Sequence, residues 1–216
     1  QVVANDPWVR VPLRLALQGP LAVSYRKVGN VVETLDYLPG SYLLPHVTRI
    51  LSGLGIDVRA ALQAGEVCVL PATPEVDGER GQPVPFAIFA PKGGQGLDER
   101  DKVVNRLLQP EPADGPQLKQ VRDGYVSTKP SKVHKTAITV HTHNRVEDQS
   151  QRPTGAGGLY TYEAISPTDD GKPVVLRSEL RLRKSLADQL TSTQPEWWKN
   201  LGGAISLGRS KKDDYG

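Results

Sequence analysis

Two stretches of the chain alternate apolar and polar residues with a period of two. Residues 11–18 alternate Val and Leu with polar or small residues. Residues 174–183 place four apolar side chains on one face and three arginines with a glutamate on the other. Because successive side chains of a β-strand point to opposite faces, both stretches are predicted to be half-buried strands.

A helix is predicted after the tripeptide Pro39-Gly40-Ser41. Apolar residues between positions 43 and 54 recur at three- and four-residue spacing, which gives the helix one apolar face. Ser41 is a suitable N-cap, and the glycines Gly53 and Gly55 end the helix.

The rest of the pattern is shorter and less regular. We predict strands over residues 66–70, 136–143 and 159–165, a helix that begins at Ser185, a second short helix at 196–201, a loop over 25–34 and a short helix over 99–108. The first of these strands contains the single cysteine, Cys68, which we expect to be buried.

The order of these elements mixes strands and helices without strict alternation, which favours an α+β fold. A β-α-β-β-α-β ferredoxin-like (RRM-like) core would fit this order. The chain 1–216 is predicted to be a single domain. Residues 71–130, rich in Pro and Gly, are predicted to be a long insertion in it.

Composition narrows the class of protein. With 38% hydrophobic and 24% charged residues, the 216-residue chain has an ordinary globular balance. No apolar run is long enough to span a bilayer, and one cysteine allows no internal disulfide, so we expect a cytoplasmic protein without membrane contact. The chain opens at Gln1 and stops after a basic run, so we expect a fragment of a longer product.

Charge is unevenly distributed along the chain. Residues 119–145 contain six Lys and Arg against one acid, and residues 177–212 contain eight against three. Residues 71–117 contain five basic and eight acidic side chains. A basic half beside a mildly acidic insert suits a phosphate-rich partner, although solvated surface charge would give the same counts.

Two segments have the composition of phosphate-binding loops. Exposed N–H groups at the helix start near Gly40 attract anions, and a glycine allows close approach of a phosphate. Glycines at 202, 203 and 208 flank a short apolar run, and Arg209, Ser210, Lys211 and Lys212 follow. A plain helix cap and a solvated basic loop are the alternatives.

Histidines and tyrosines supply the other candidate chemistry. His141 and His143 share one strand face, but no Cys, Asp or Glu lies near them at ligand spacing, so a metal site is not predicted. Tyr160 and Tyr162 also share a face and could stack bases, or could pair within the core. No cofactor is predicted.

Three segments in order resemble the RAMP superfamily of CRISPR effector complexes. Pro20 to Ser24 followed by Leu38 to Ser41 is similar to the family's opening. His143-Asn144-Arg145 with Gly158 to Glu163 resembles its middle motif. Ile205 to Gly216 resembles its glycine-rich loop. The second and third segments are most similar to the RAMP subunit of type III-D complexes.

The resemblance implies a ferredoxin-like core that binds CRISPR guide RNA inside a ribonucleoprotein that recognises target RNA in antiviral defence. It also implies contacts with neighbouring RAMP subunits, for which residues 71–130 are the candidate. The residues assigned to RNA binding are Arg26, Lys27, Gly40, Ser41, His141, His143, Asn144, Arg145, Arg152, Gly208, Arg209, Ser210, Lys211, Lys212 and Tyr215.

The sequence departs from the family at the cleavage position. Subunits that cut target RNA carry an aspartate in the loop before the first helix, where this chain offers Asn30 and Glu33, with Asp36 close by. An amide is a poor general base, so we expect a binding subunit without its own catalytic site. The alternatives are a metal-dependent endoribonuclease that uses Asp36 or Glu33, a processing nuclease that uses His141 or His143, and a protein–protein scaffold.

Overall fold

The computed structural model describes residues 6–94, 97, 102–109, 115–128, 133–144 and 159–209. The strands are β1 (Trp8–Ala16), β2 (Ser24–Val28), β3 (Val31–Thr34), β4 (Val67–Val69), β5 (Thr73–Val76), β6 (Glu79–Arg80), β7 (Gln82–Pro83), β8 (Ile88–Pro91), β9 (Val104–Asn105), β10 (Leu118–Gln120), β11 (Tyr125–Val126), β12 (Ile138–Asn144), β13 (Leu159–Ile165), β14 (Thr168–Asp169), β15 (Lys172–Pro173) and β16 (Val175–Arg183). The helices are α1 (Gly40–Gly53), α2 (Val58–Gln63) and α3 (Lys184–Thr193), and Trp197–Leu201 forms a 3-10 helix.

The largest sheet has the order β1-β16-β5-β6, and β4 also pairs with β16. The two long strands are antiparallel, with Trp8 opposite Arg183 and Ala16 opposite Val175. The backbone N–H of Leu17 continues this pairing by donating to the carbonyl of Val174 at 3.1 Å. In the part of the chain that the structure describes, β16 is the one partner of β1, so β1 lies at the sheet edge.

The core lies on one face of this sheet. Val9, Val11 and Leu13 of β1 pack against a buried cluster that joins β16 to the three helices and Trp197. The buried members of that cluster are Val47, Leu51, Ile56, Val58, Ala61, Val67, Leu180, Leu182, Leu186, Ala187, Leu190 and Trp197. The predicted strands at residues 11–18 and 174–183, and the apolar face of α1, are therefore confirmed.

A second sheet has the order β12-β13-β3-β2. Its β12 and β13 are antiparallel, whereas β13 and β3 are parallel. An isolated bridge between Leu21 and Ile165 links the chain after β1 to this sheet, and both side chains are buried. Leu21 and Ile165 belong to the same buried cluster as Leu176 of β16, so this cluster joins the two sheets.

The ferredoxin-like α+β prediction is wrong. The structure is mostly β, with 40% strand and 21% helix distributed over several sheets and three helices. One reason is the polar stretch 25–34, predicted as a loop, which forms the β2–β3 hairpin. Its strand β2 is exposed throughout and so lacks apolar alternation. The Pro- and Gly-rich insertion also forms strands, most of them too short to show a period.

Two further predictions are corrected by the structure. No α-helix occurs among the described residues between 99 and 108, where Val104–Asn105 is a strand paired with β8. Cys68 is exposed instead of buried, because β4 lies in a sheet with one open face and Cys68 points to that face. The first strand of the predicted insertion, β5, pairs with β16 and so belongs to the main sheet.

Candidate nucleic-acid interface

The loop at Gly208 and Arg209 is held against the segment that precedes β2. The backbone N–H of Arg209 donates to the carbonyl of Ala22 at 2.8 Å. Gly208 has φ +83°, and a Cβ at this position would lie 2.7 Å from the same carbonyl oxygen. Only glycine fits both the conformation and the space, so the predicted glycine of this loop has a defined structural role.

Three ring side chains cluster on one face of the second sheet. In the β12–β13 register His143 is opposite Tyr160, and His141 is opposite Tyr162. The rings of His143 and Tyr160 stack with centroids 5.3 Å apart and planes 14° apart. Tyr162 meets both rings edge-on, at 5.6 Å and 5.4 Å. We call His143, Tyr160 and Tyr162 the aromatic face.

The Gly208 loop brings a cation to this face. The guanidinium carbon of Arg209 lies 4.8 Å from the centroid of the Tyr162 ring, and the Arg209 residue is exposed. Two segments that were predicted separately as RNA-binding therefore meet in space. Rings offer a surface on which bases stack whatever their sequence, and an adjacent guanidinium can bind the phosphate between them.

A lysine extends the same face. Lys27 of β2 is opposite Val32 of β3, which is opposite Tyr162 in turn. Paired residues of neighbouring strands share a face, so Lys27 is on the side of the aromatic rings. Its neighbour Arg26 points to the other side, where Nε bonds Glu33 at 2.6 Å. The hydrogen bond to Glu33 raises the pKa of Arg26.

The start of α1 lies on the other side of the segment 204–208. Ser41, Tyr42, Pro45, His46 and Arg49 line, with residues 204–208, an open pocket of about 620 Å³. The guanidinium of Arg49 lies 3.2 Å from Nδ1 of His46, and Nε2 of His46 lies 3.1 Å from the carbonyl of Leu201. Since guanidinium only donates, His46 accepts at Nδ1 and donates from Nε2. The sequence carries no local signal for the position of Arg49, which is one of several polar residues on α1.

The close packing of α1 against β4 explains why position 40 is a glycine. A Cβ on Gly40 would lie 2.1 Å from the carbonyl oxygen of Val69, so the glycine lets α1 approach β4 closely. Gly40 is buried, whereas Ser41 is exposed. A phosphate contact at this helix start therefore stays a prediction, and Ser41 is the residue that could make it.

The two candidate catalytic carboxylates have structural partners. Glu33 pairs with Arg26, as described above. Oδ1 of Asp36 accepts a hydrogen bond of 3.0 Å from the hydroxyl of Tyr125, and Oγ1 of Thr136 donates to the Asp36 carbonyl at 2.8 Å. Burial, together with the negative charge of Asp36, raises the pKa of Tyr125. Among the described residues, no three His, Cys, Asp or Glu side chains gather as a metal site requires.

Several predicted RNA-binding residues lie outside the described residues. They are Arg145, Arg152, Ser210, Lys211, Lys212 and Tyr215. Asn144 is the last residue of β12. Of the residues predicted to bind RNA, the structure therefore places His141, His143, Lys27 and Arg209 on or beside one face of the second sheet. Ser41 lines the neighbouring pocket, and Gly40 precedes it at the start of α1.

Within the described residues, none of the helices is long and apolar enough to cross a membrane. No protein-family model matches the chain, and no curated protein matches it.

Proposed function

We propose that this protein binds single-stranded RNA, as the guide-RNA-binding subunit of a type III-D-like CRISPR effector complex that targets RNA. The observation that carries the proposal is the position of Arg209 over Tyr162, beside the stacked pair His143 and Tyr160. The resemblance of three ordered sequence segments to RAMP subunits supports the choice of guide RNA among single-stranded RNAs.

The proposed binding mode follows from the positions of these side chains. Bases stack on the aromatic face, and the exposed guanidinium of Arg209 with the exposed ammonium of Lys27 binds backbone phosphates on either side. The 204–208 segment leads from this face to Ser41, so a strand that leaves the rings can follow it toward the α1 start. Target RNA and neighbouring RAMP subunits are the further partners of this proposal.

Arg209→Gln tests the binding mode most directly, because the side chain is exposed and its loss leaves the core intact. We expect weaker binding of a fluorescein-labelled single-stranded RNA in fluorescence anisotropy. Each lost phosphate contact also lowers the slope of log K against log salt by about 0.7 for a single strand. Tyr160→Leu should weaken binding with little change in that slope.

The matched control is Arg59→Gln, which removes an exposed arginine on α2 instead. Its affinity and salt slope should equal those of the unchanged protein. If Arg209→Gln and Tyr160→Leu bind as tightly as Arg59→Gln, the proposal is wrong. The guide-RNA role is tested by co-expression with a CRISPR array: purified protein should carry array-derived RNA, and its absence from a folded, monodisperse preparation would contradict that role.

A further inference from the structure

The main sheet presents a row of arginines on the side opposite the core. Arg10 and Arg14 of β1 are exposed, whereas the odd-numbered residues between them are partly buried against the core. Across the register, Arg10 is opposite Arg181 and Arg14 is opposite Arg177. Arg183, opposite Trp8, continues the row. We call these five arginines, with Trp8, the arginine face.

Two glutamates hold four of these arginines in place. Glu179 accepts from Arg181 at 2.5 Å and lies 3.9 Å from Arg10. Glu75 lies 3.5 Å from Arg14 and also pairs with Arg177. The guanidinium carbon of Arg183 lies 4.2 Å from the centroid of the Trp8 ring. The five guanidinium groups of the arginine face outnumber these two glutamates, so the row of arginines carries a surplus of positive charge.

This concentration of positive charge destabilises the sheet unless an anion lies nearby. Like charges directly opposite each other on neighbouring strands destabilise a sheet, and two such pairs occur here. The glutamates offset part of that repulsion and orient the guanidinium groups. The side chains of Arg10 and Arg14 stay 66% and 56% exposed, so their remaining donors are accessible from solvent.

We propose that the arginine face binds the phosphate backbone of a second nucleic-acid strand, separate from the strand on the aromatic face. Guanidinium donors match phosphate oxygens in pairs. Arg10 and Arg14 are four residues apart on β1, about 13 Å, a spacing comparable to two phosphate steps of an extended single strand. Trp8, 37% exposed at the end of the row, adds a ring on which a base can stack.

The chain contains its own probe for this surface. Cys68 is the single cysteine, is exposed, and is opposite Arg181 in the β4–β16 register. A strand bound across the arginine face would cover it. We expect saturating single-stranded RNA of mixed sequence to slow alkylation of Cys68 by N-ethylmaleimide several-fold at physiological salt. An unchanged alkylation rate at saturation would overturn the proposal.

Variants separate this surface from the aromatic face. Arg10→Gln with Arg14→Gln should abolish the protection of Cys68 and lower the salt slope by about 1.4, for two phosphate contacts. Arg10→Lys with Arg14→Lys should retain most of both effects. Arg209→Gln should leave Cys68 protected. Loss of protection in Arg209→Gln but not in Arg10→Gln with Arg14→Gln would place the only binding site on the aromatic face and overturn this inference alone.

A final experiment tests whether the ligand of the arginine face is a nucleic acid or an acidic protein segment. Poly-glutamate of the same charge as the RNA should protect Cys68 less well at equal concentration. Stronger protection by poly-glutamate would identify the arginine face as a docking surface for an acidic protein segment and contradict the proposal. Far-UV circular dichroism of each variant checks that the sheet is intact, which the high exposure of Arg10 and Arg14 leads us to expect.

Discussion

The guanidinium of Arg209 lies over the ring of Tyr162, and this contact joins the end of the described chain to the middle of the second sheet. The hydrogen bond from the Arg209 N–H to the Ala22 carbonyl fixes the backbone from which the side chain reaches. The cation is therefore positioned beside the aromatic rings by the backbone itself, before any ligand binds.

Gly208→Ala should displace this loop and weaken RNA binding. The added Cβ would lie 2.7 Å from the Ala22 carbonyl oxygen, and the residue would keep a φ of +83° that alanine disfavours. We expect lower affinity in fluorescence anisotropy, with a loss of thermal stability smaller than the loss expected for a core variant. Gly203→Ala is the control, because it shares a positive φ but has open space around its Cα. Equal affinity of the two variants would contradict the role of the loop.

Gly40→Ala should destabilise the protein by about 1–3 kcal/mol, as overpacking at a tight interface does. The new methyl would meet the Val69 carbonyl at 2.1 Å and push α1 away from β4. Urea unfolding followed by circular dichroism measures the change. Gly53→Ala, at the other end of the same helix and free of neighbours within 4 Å, should be neutral or slightly stabilising. Comparable destabilisation of both variants would disprove the packing explanation.

Tyr125→Phe should cost about 1–2 kcal/mol, because it removes a hydrogen bond to the carboxylate of Asp36. Its raised pKa in the folded protein means that this tyrosine stays protonated above the ordinary value of 10.0. The associated stability is present below that value and is lost as the pH rises above it. Ultraviolet titration should show one tyrosine fewer ionising near pH 10 in the unchanged protein than in the urea-unfolded protein.

The control for the stability change is Tyr25→Phe, which removes an exposed tyrosine and should leave the free energy of unfolding nearly unchanged. In the titration, Tyr125→Phe should lose no ionisation step near pH 10. RNA binding should be unchanged in Tyr125→Phe. Loss of an ordinary ionisation step in Tyr125→Phe would show that its hydroxyl is not buried against Asp36.

Asp6→Asn should destabilise the protein at neutral pH and less so in acid. The carboxylate of Asp6 accepts from the hydroxyl and the backbone N–H of Ser185, in the first turn of α3, at 2.6 Å and 3.1 Å. These bonds, the hydroxyl bond above all, lower the pKa of Asp6 in the folded protein. Its contribution is therefore present above the ordinary value of 3.8 and is lost as the pH falls below it.

Thermal melts of Asp6→Asn and the unchanged protein at a series of pH values between 7 and 3 test this directly. The difference in Tm should narrow as the pH falls. Asp188→Asn is the matched control on the exposed side of α3, where Asp188 pairs with Lys184 at the surface. A pH-independent gap for Asp6→Asn would show that its charge does not stabilise α3.

The sequence predicts best the elements that bury one whole face. The alternation of β1 and β16 and the spacing in α1 are visible because each has a side against the core. The β2–β3 hairpin has no such side, so its residues look like a loop. Cys68 was predicted to be buried because residues 66–70 are mostly apolar, yet alternate positions of β4 point to the open side of the sheet.

The candidate site shows the same limit. The composition of residues 208–212 and the two tyrosines of β13 each suggest RNA contacts. Arg209 reaches Tyr162 because the Arg209 N–H bonds the Ala22 carbonyl, and no local sequence pattern predicts this long-range hydrogen bond. The alternation of residues 177–183 predicts that the arginines of β16 share one face. The sequence does not predict that Arg10 and Arg14 lie beside them, because the β1–β16 register depends on long-range strand pairing.

The position of β1 at the sheet edge has a consequence for solubility. Because Leu17 and the other odd-numbered residues direct their backbone groups to β16, Pro12 directs its own outward, where it lacks the N–H that a new strand would need. Proline at this place interrupts the ladder that a second molecule could otherwise build along nine residues. Among the described residues, the outer edge of β1 thus stays open without offering a continuous hydrogen-bonding template to a second molecule.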